Sequence, residues 1–163
     1  MRKLVITDNN NAHTGKTHAL SLVYILLKKK GYEVKYVYGP EEYGKDLRAR
    51  IDVGGHLVGI ETMGDNTPEA AARHRQSMLE FDEADCEVII TATRLQGKTR
   101  ADVRELHQQK DYQAIWMKHD YTTMPELYNI LNLRYAERVV RFVEEWLLGA
   151  KLEELDVRTR INM

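Results

Sequence analysis

Three residues near the start of the chain, Gly15, Lys16 and Thr17, could together bind a phosphorylated ligand. A glycine lets the backbone approach a ligand, a lysine ammonium attracts anionic oxygens, and a threonine hydroxyl can bind a divalent cation. An apolar run precedes them and an amphipathic segment follows, which predicts a loop between a strand and a helix. Backbone N–H groups at a helix start form an anion site, so this loop is a candidate phosphate-binding loop.

Residues 10–17, Asn-Asn-Ala-His-Thr-Gly-Lys-Thr, resemble the Walker A motif of P-loop NTPases, Gly-x-x-x-x-Gly-Lys-Ser/Thr. Asn10 stands where the motif has its first glycine. Asparagine tolerates a left-handed backbone, so we expect the turn to be kept. The resemblance implies that Lys16 reaches the β and γ phosphates of ATP and that Thr17 holds Mg²⁺. It implies the following nucleotide-binding residues: Asn11, Ala12, His13, Thr14, Gly15, Lys16, Thr17 and His18.

A second Gly-Lys-Thr, at residues 97–99, follows a later apolar run and competes for the same role. The helix predicted after it, residues 101–108, is short and polar, whereas a P-loop helix packs against the sheet, so we favour the first copy. The basic side chains Arg94, Lys98 and Arg100 could instead close over phosphates or hold an anionic substrate. A solvated basic loop is the alternative interpretation.

A magnesium site beside a phosphate loop needs a carboxylate, usually at the end of a neighbouring strand. Glu61 directly follows the apolar run 57–60, and Asp65 lies on the loop just beyond it. Either could hold the metal through water or activate a hydroxyl or a water molecule. Asp8, after the first strand, is a third candidate, and an ordinary strand or turn role for these carboxylates is the alternative.

Two further sequence matches concern which nucleotide base the site would recognise. Residues 61–64, Glu-Thr-Met-Gly, are similar to the D-x-x-G switch motif of small GTPases, with Glu in place of Asp. Residues 117–120, Met-Lys-His-Asp, look like the guanine-reading N-K-x-D motif, with Met in place of Asn. Met117 cannot make the contacts of an amide, so GTP remains the alternative to ATP.

Hydrophobic periodicity and turn residues predict elements that alternate along the chain. We predict strands at 3–7, 33–38, 47–53, 57–61, 86–91 and 112–117, with Gly54 and Gly55 forming the turn of a hairpin at 47–62. Helices are expected at 18–30, from Thr67 and Pro68 to about 84, at 101–108, and from a Thr123/Glu126 capping box to about 148. The expected apolar face of the last helix is Leu127, Leu131, Val139, Phe142, Val143, Trp146 and Leu147.

Strands separated by helices favour an α/β fold, here a single domain of 163 residues with three layers. In such a fold a mainly parallel sheet has helices on both faces, and ligands bind at the carboxyl ends of its strands. The loops after residues 7, 61, 91 and 117 should therefore share one edge. Together with the motif, this architecture is P-loop NTPase-like.

The composition limits the classes of partner. A formal net charge of -1 with 30% charged residues argues against nucleic acid or an anionic membrane as the partner. The one cysteine, Cys86, cannot form an intramolecular disulfide, and the six histidines lack paired metal-ligand spacing. The short apolar run at the N-terminus suits neither a signal peptide nor a membrane span, so we expect a cytoplasmic protein.

The motif and the basic loop favour a Mg²⁺-dependent phosphotransferase or hydrolase, similar to small-molecule kinases. In that reaction Lys16 would hold the phosphates, Arg94 or Arg100 would stabilise charge, and Glu61 or Asp65 would activate the acceptor. The alternative is a regulatory nucleotide switch that contacts a protein partner and hydrolyses slowly. A third interpretation is a degenerate loop that binds no nucleotide.

Overall fold

The structure, a computed structural model, describes residues 2–11 and 14–149 of the chain. The described residues form six strands and four helices. In chain order these are β1 (Lys3–Asn9), α1 (Lys16–Lys29), β2 (Glu33–Tyr38), β3 (Arg48–Val53), β4 (His56–Glu61), α2 (Pro68–Glu83), β5 (Val88–Thr93), α3 (Lys98–Gln109), β6 (Tyr112–Met117) and α4 (Pro125–Leu148).

The strands form one sheet in the order β2-β3-β4-β5-β1-β6. Strands β4, β5, β1 and β6 run parallel to one another, whereas β3 is antiparallel to β2 and β4. The predicted α/β fold with a mainly parallel sheet is confirmed. Because β3 runs the opposite way, its first residue, Arg48, pairs with the last residue of β4, Glu61. We call this edge of the sheet, where β4, β5, β1 and β6 end and β3 begins, the carboxyl rim.

Helices cover both faces of the sheet. Leu4 and Ile6 of β1 pack in one apolar cluster with residues of α1 and α4, and Val5 packs on the other face with residues of α2 and α3. Successive side chains of a strand point to opposite faces, so a central strand covered on both sides is apolar throughout. The three layers predicted from the sequence are therefore present.

Several elements differ from their predicted bounds. Helix α1 begins at Lys16 instead of residue 18, because the amide of Ala19 already donates to the Gly15 carbonyl at 2.9 Å. Strand β5 covers Val88–Thr93 instead of 86–91, since its buried threonines continue the parallel ladder with β1. Helix α3 begins at Lys98, three residues before its predicted start.

The capping box of α4 was predicted wrongly, whereas its apolar face is confirmed in part, since Val139 and Val143 are fully buried. The residue that caps α4 is Met124, which makes no side-chain capping bond, so the Thr123/Glu126 capping box does not form. Leu127 and Phe142 are 43% and 40% exposed. Only the side of α4 that faces α1 is buried, and that side includes Tyr135 and Ala136. The apolar stripe of α4 is longer than the surface of α1 that it packs against, so its outer residues stay exposed.

The hairpin and the second helix start were predicted correctly. Gly54 and Gly55 both have positive φ, +61° and +91°, in the turn between β3 and β4. Thr67 caps α2 by accepting a hydrogen bond from the Ala70 amide, and Pro68 occupies the first turn. Within the described parts of the chain, no helix has the length and apolar character that a membrane span needs.

Candidate functional site

The loop from β1 to α1 lies at the carboxyl rim. The amide of Asn10 donates to the Thr93 carbonyl at 3.0 Å, which attaches the start of the loop to the end of β5. Gly15 caps α1 with φ +91°, a conformation that favours glycine, and a Cβ there would lie 2.5 Å from the Tyr128 hydroxyl. The loop therefore requires glycine at position 15. Ala12 and His13, two predicted nucleotide contacts, lie outside the described residues.

Asn10 keeps the turn by a different means from the one predicted. Among the described residues other than glycine, only Asp85 and Asp111 have positive φ, so Asn10 does not use a left-handed backbone. Its side chain instead accepts a hydrogen bond from the Asn11 amide at 2.9 Å and donates to the His119 carbonyl at 3.5 Å. The amide side chain thus makes contacts that a glycine could not.

Lys16 is buried inside this loop, with 6% of its surface exposed. Its ammonium donates to three backbone carbonyls, those of Asn10 at 3.0 Å, Asn11 at 3.3 Å and Thr93 at 3.4 Å. Burial, followed by the positive charge of Arg94, lowers the pKa of Lys16 to about 8. The lysine is thus a desolvated cation whose hydrogen-bond partners here are neutral carbonyls.

Thr17 contacts a carboxylate that the sequence prediction missed. Its hydroxyl donates to Asp46 Oδ1 at 3.0 Å, and the hydroxyl of Thr62 donates to the same oxygen at 2.8 Å. Asp46 precedes β3, which begins at the carboxyl rim. The predicted antiparallel hairpin could have indicated this position, because it places the residue before β3 at the same edge as the residue after β4.

Glu61 and Asp65, the two predicted metal or base residues, have different surroundings. Glu61 is fully buried, where it accepts hydrogen bonds from Arg73 at 2.8 and 3.1 Å and from Ser77 at 2.8 Å. Strand alternation turns Glu61 toward α2, while Thr62 faces α1. The structure therefore does not bring Glu61 to Thr17. Asp65 lies nearer, with a side chain that is 51% exposed and ion-paired to Arg94 at 3.0 Å.

These groups surround an open cleft of about 350 Å³ at the start of α1. The cleft is lined by Gly15, Lys16, Thr17, His18, Gly44, Asp46, Asp65 and Tyr128. It therefore combines backbone at a helix start, a buried cation, a hydroxyl and two carboxylates. Of the residues predicted for catalysis or metal binding, Lys16, Thr17 and Asp65 line this cleft, and Arg94 contacts it through Asp65.

Aromatic rings form one wall of the cleft. The His18 ring hydrogen-bonds through Nδ1 to the Tyr128 hydroxyl at 2.9 Å, and its centroid lies 5.0 Å from Tyr43 and 5.3 Å from Tyr128. Burial lowers the pKa of His18 below its ordinary value, which favours the neutral ring. This wall is apolar in its faces and polar at its edges, a surface suited to a planar ring.

The second Gly-Lys-Thr loop is filled by a side chain of the protein. The Asn66 amide donates to the Gln96 carbonyl at 2.7 Å and accepts from the Thr99 amide at 3.4 Å. Thr99 is buried and Lys98 is exposed. The expectation that the following helix is too polar to pack was wrong, because α3 buries Val103 and Leu106. The preference for the first copy rests instead on this occupied loop.

Arg100 is held away from the cleft. Its Nη1 donates to the Leu95 carbonyl, and its guanidinium lies over the Trp116 ring at 5.3 Å. The cation is thus engaged by a carbonyl and by the face of an aromatic ring. Of the three predicted basic residues in this loop, only Arg94 therefore contacts a residue that lines the cleft.

His119 fixes the position of the segment that follows β6. His119 is buried and hydrogen-bonds through Nδ1 to Asp8 Oδ2 at 2.5 Å, whereas Lys118 and Asp120 are exposed. Asp8 is fully buried and both of its oxygens contact His119, so we exclude it from the metal site. Lys118 and Asp120, the residues expected to read a guanine, are not among the residues that line the cleft.

Comparison of the chain with protein-family models, with curated proteins and with solved structures finds no match. Any functional assignment therefore depends on the geometry of the site.

Proposed function

We propose that this chain binds a Mg²⁺-nucleoside triphosphate, ATP in preference to GTP, in the cleft beside Lys16 on a P-loop NTPase-like fold. The observation that carries the proposal is the buried ammonium of Lys16, held at the start of α1 by the carbonyls of Asn10, Asn11 and Thr93. An ammonium interacts more strongly with an anionic phosphate oxygen than with a neutral carbonyl oxygen, because opposite charges attract. Replacement of the carbonyl partners of Lys16 by triphosphate oxygens would therefore stabilise the bound nucleotide.

Mg²⁺ fits the oxygen atoms at Thr17 and Asp46. Among residues 2–11 and 14–149, no group of three or more histidine, cysteine or carboxylate side chains could hold a metal by itself. Mg²⁺ commonly uses only one or two carboxylates and completes its shell with phosphate oxygens and water. Asp46 and Thr17 would supply two protein oxygens, and the ion would neutralise charge on the phosphates.

Arg94 and Asp65 are the residues available for phosphoryl transfer or hydrolysis. Ion pairs between exposed groups contribute only about 0–1 kcal/mol, so a triphosphate could displace Asp65 from the Arg94 guanidinium. Arg94 would then stabilise the charge of the transferring phosphoryl group. Asp65, released at the edge of the cleft, would accept a proton from a hydroxyl or a water molecule.

The preference for ATP follows from the segment after β6, since the aromatic wall does not distinguish one base from another. His18 and Tyr128 offer ring surfaces that any base can contact. A guanine reader would need an amide at Met117 and an Asp120 carboxylate at the cleft, and neither condition is met.

Thermal unfolding tests the proposal. Mg²⁺-ATP at about one hundred times its dissociation constant should stabilise the protein by about 2.7 kcal/mol, which raises Tm by several degrees. Mg²⁺-GTP should protect less at equal concentration. Mg²⁺ alone and Mg²⁺ with adenosine, which lacks the phosphates, are the controls. No protection by either triphosphate, at concentrations up to several millimolar, contradicts the proposal.

A regulatory switch is the second candidate, and the position of Glu61 favours it. Glu61, which the sequence offered as a base, is instead paired with Arg73 and hydrogen-bonded to Ser77 inside the protein. Loss of this base would leave hydrolysis slow. Single-turnover phosphate release separates the candidates: release within minutes supports the enzyme, whereas tight binding without release over hours supports the switch.

A further inference from the structure

A buried ion pair lies directly beneath the proposed phosphate loop. His119, two residues after β6, faces Asp8 of β1, and both side chains are fully buried. The ring Nδ1 lies 2.5 Å from Asp8 Oδ2, and the His119 amide donates to Asp8 Oδ1 at 3.3 Å. The carboxylate thus fixes both the ring and the backbone of His119.

The other ring nitrogen contacts the phosphate loop itself. His119 Nε2 hydrogen-bonds to the carbonyl oxygen of Thr14, the residue before Gly15. A carbonyl and an ionised carboxylate can only accept hydrogen bonds, so both ring nitrogens must donate. With a carboxylate at Asp8, the geometry therefore favours the doubly protonated, cationic ring.

The charges around His119 come from three packed elements and from the loop. Burial opposes the cation, but the hydrogen bond and the charge of Asp8 on β1, with the Thr14 carbonyl, raise the pKa of His119 above its ordinary value. Lys16 on α1 opposes the cation. Tyr135 of α4 packs edge-on at 5.7 Å, and burial keeps its hydroxyl neutral by raising its pKa.

The start of the loop is attached to the same residue. The Asn10 side chain donates to the His119 carbonyl at 3.5 Å, so Asn10 and Thr14 both contact His119. These two residues bracket the carbonyls of Asn10 and Asn11 that hold Lys16. A change at His119 would thus move the backbone that the lysine and the phosphates share.

We propose that His119 is a positioning residue that holds the phosphate loop in its binding shape only while the ring carries both protons. The inference rests on the function proposed above. Deprotonation removes the donor to Asp8 or the donor to Thr14, and either loss frees one anchor of the loop. Affinity for a triphosphate is therefore coupled to the protonation of a residue that does not touch the ligand.

Titration calorimetry of the full chain with inorganic tripolyphosphate tests this coupling, with the parent and His119→Gln compared at several pH values from 6 to 9.5. A glutamine can replace at most one of the two donors and carries no charge. We expect His119→Gln to bind about tenfold more weakly at pH 6, and the ratio to approach one at high pH. Titration of the ligand affects both proteins and cancels in the ratio.

His56→Gln is the matched control. His56 Nδ1 also pairs with a carboxylate, Glu87 at 2.8 Å, but at the opposite end of β4 from the carboxyl rim. This variant should bind tripolyphosphate like the parent at every pH. A parent-to-His119→Gln ratio near one, or one that does not change with pH, overturns the role of His119 alone. Absence of tripolyphosphate binding by the parent overturns the proposed function as well.

Ring ¹⁵N NMR of the unmodified protein needs no variant, and it decides the matter if His119→Gln does not fold. At pH 6.5 to 7 both His119 nitrogens should have the shifts of protonated imidazolium. The transition to the neutral ring should move to higher pH when tripolyphosphate is added, because a ligand that needs the cationic ring stabilises it. A neutral ring at pH 6.5, or a transition unaffected by bound tripolyphosphate, overturns the proposal.

Discussion

Asp46 is the residue on which the proposed metal chemistry of the cleft depends. One of its carboxylate oxygens accepts hydrogen bonds from two threonine hydroxyls, those of Thr17 and Thr62. Two donors on one oxygen hold the carboxylate in a fixed position at the start of α1. The arrangement therefore presents preoriented oxygen ligands beside the buried cation of Lys16.

Asp46→Asn should weaken triphosphate binding about tenfold in the presence of Mg²⁺, and much less when EDTA removes the metal, because an amide is a poorer Mg²⁺ ligand than a carboxylate. Titration calorimetry with and without Mg²⁺ measures the difference. Asp65→Asn is the comparison, since Asp65 is paired with Arg94 and should not alter the magnesium dependence. The reverse pattern would assign the metal to Asp65.

The difference between Asp46 and Glu61 shows what residue patterns can predict. Glu61 ends an apolar run, which is a sequence signal, but one step of strand alternation turns it to the opposite face of the sheet from Thr17. Asp46 ends a loop whose path no periodic pattern specifies. The predicted hairpin could therefore have placed Asp46 at the correct edge of the sheet, whereas its contact with Thr17 required the three-dimensional path of the loop.

At the scale of elements, the junction between β1 and α1 is fixed by contacts from α4. Tyr128 of α4 packs so closely on Gly15 that a methyl group there would collide with its hydroxyl. The sequence predicted the strand, the loop and the helix at this junction, since apolar periodicity is local. It did not predict the contact with α4, which depends on packing between elements more than one hundred residues apart.

Gly15→Ala should lose stability and binding together. Its φ of +91° would cost alanine about 1–2 kcal/mol, and the collision with Tyr128 would displace the loop. Gly31→Ala is the control, because Gly31 has the same φ of +91° with no atom within 4 Å of an added Cβ. Urea unfolding should show a loss for both variants, and only Gly15→Ala should lose triphosphate affinity. Equal affinities would contradict the account of the loop.

At the scale of the whole molecule, one sheet brings distant segments of the chain to one rim. The alternation of strands and helices predicted the parallel sheet, and the proposed ligand site lies at the carboxyl rim of that sheet. The order of the strands was not predictable from this alternation, because it depends on which strands pair after each crossover. That order places Asp8 beside His119 and thereby joins the ends of two neighbouring strands, β1 and the edge strand β6.

The stability of the molecule should depend on pH through this pair. His119 has a raised pKa in the folded protein, so its contribution is fully present below the unfolded value of about 6.5. The contribution is lost as the pH rises through the folded pKa. Urea unfolding should therefore show that the free energy of unfolding decreases as the pH rises above 6.5. His119→Gln should abolish this part of the decrease.

Lys16 changes the pH dependence of stability in the opposite direction. Its pKa is lowered to about 8, so the penalty of its buried charge is relieved as the pH rises above 8. The difference between the parent and His119→Gln at each pH gives the contribution of the histidine together with its coupling to Lys16. A difference that grows with pH would contradict the assignment.

Binding of Mg²⁺-ATP by Lys16→Ala and Lys98→Ala, measured by titration calorimetry, tests the central claim most directly. Both substitutions remove the lysine of a Gly-Lys-Thr sequence, but Lys16 is buried in the cleft whereas Lys98 is exposed at the start of α3. Lys16→Ala should reduce affinity at least one hundredfold, because the phosphates lose their buried cation, and Lys98→Ala should match the parent. Loss of binding only in Lys98→Ala would place the nucleotide at the other loop and contradict the account.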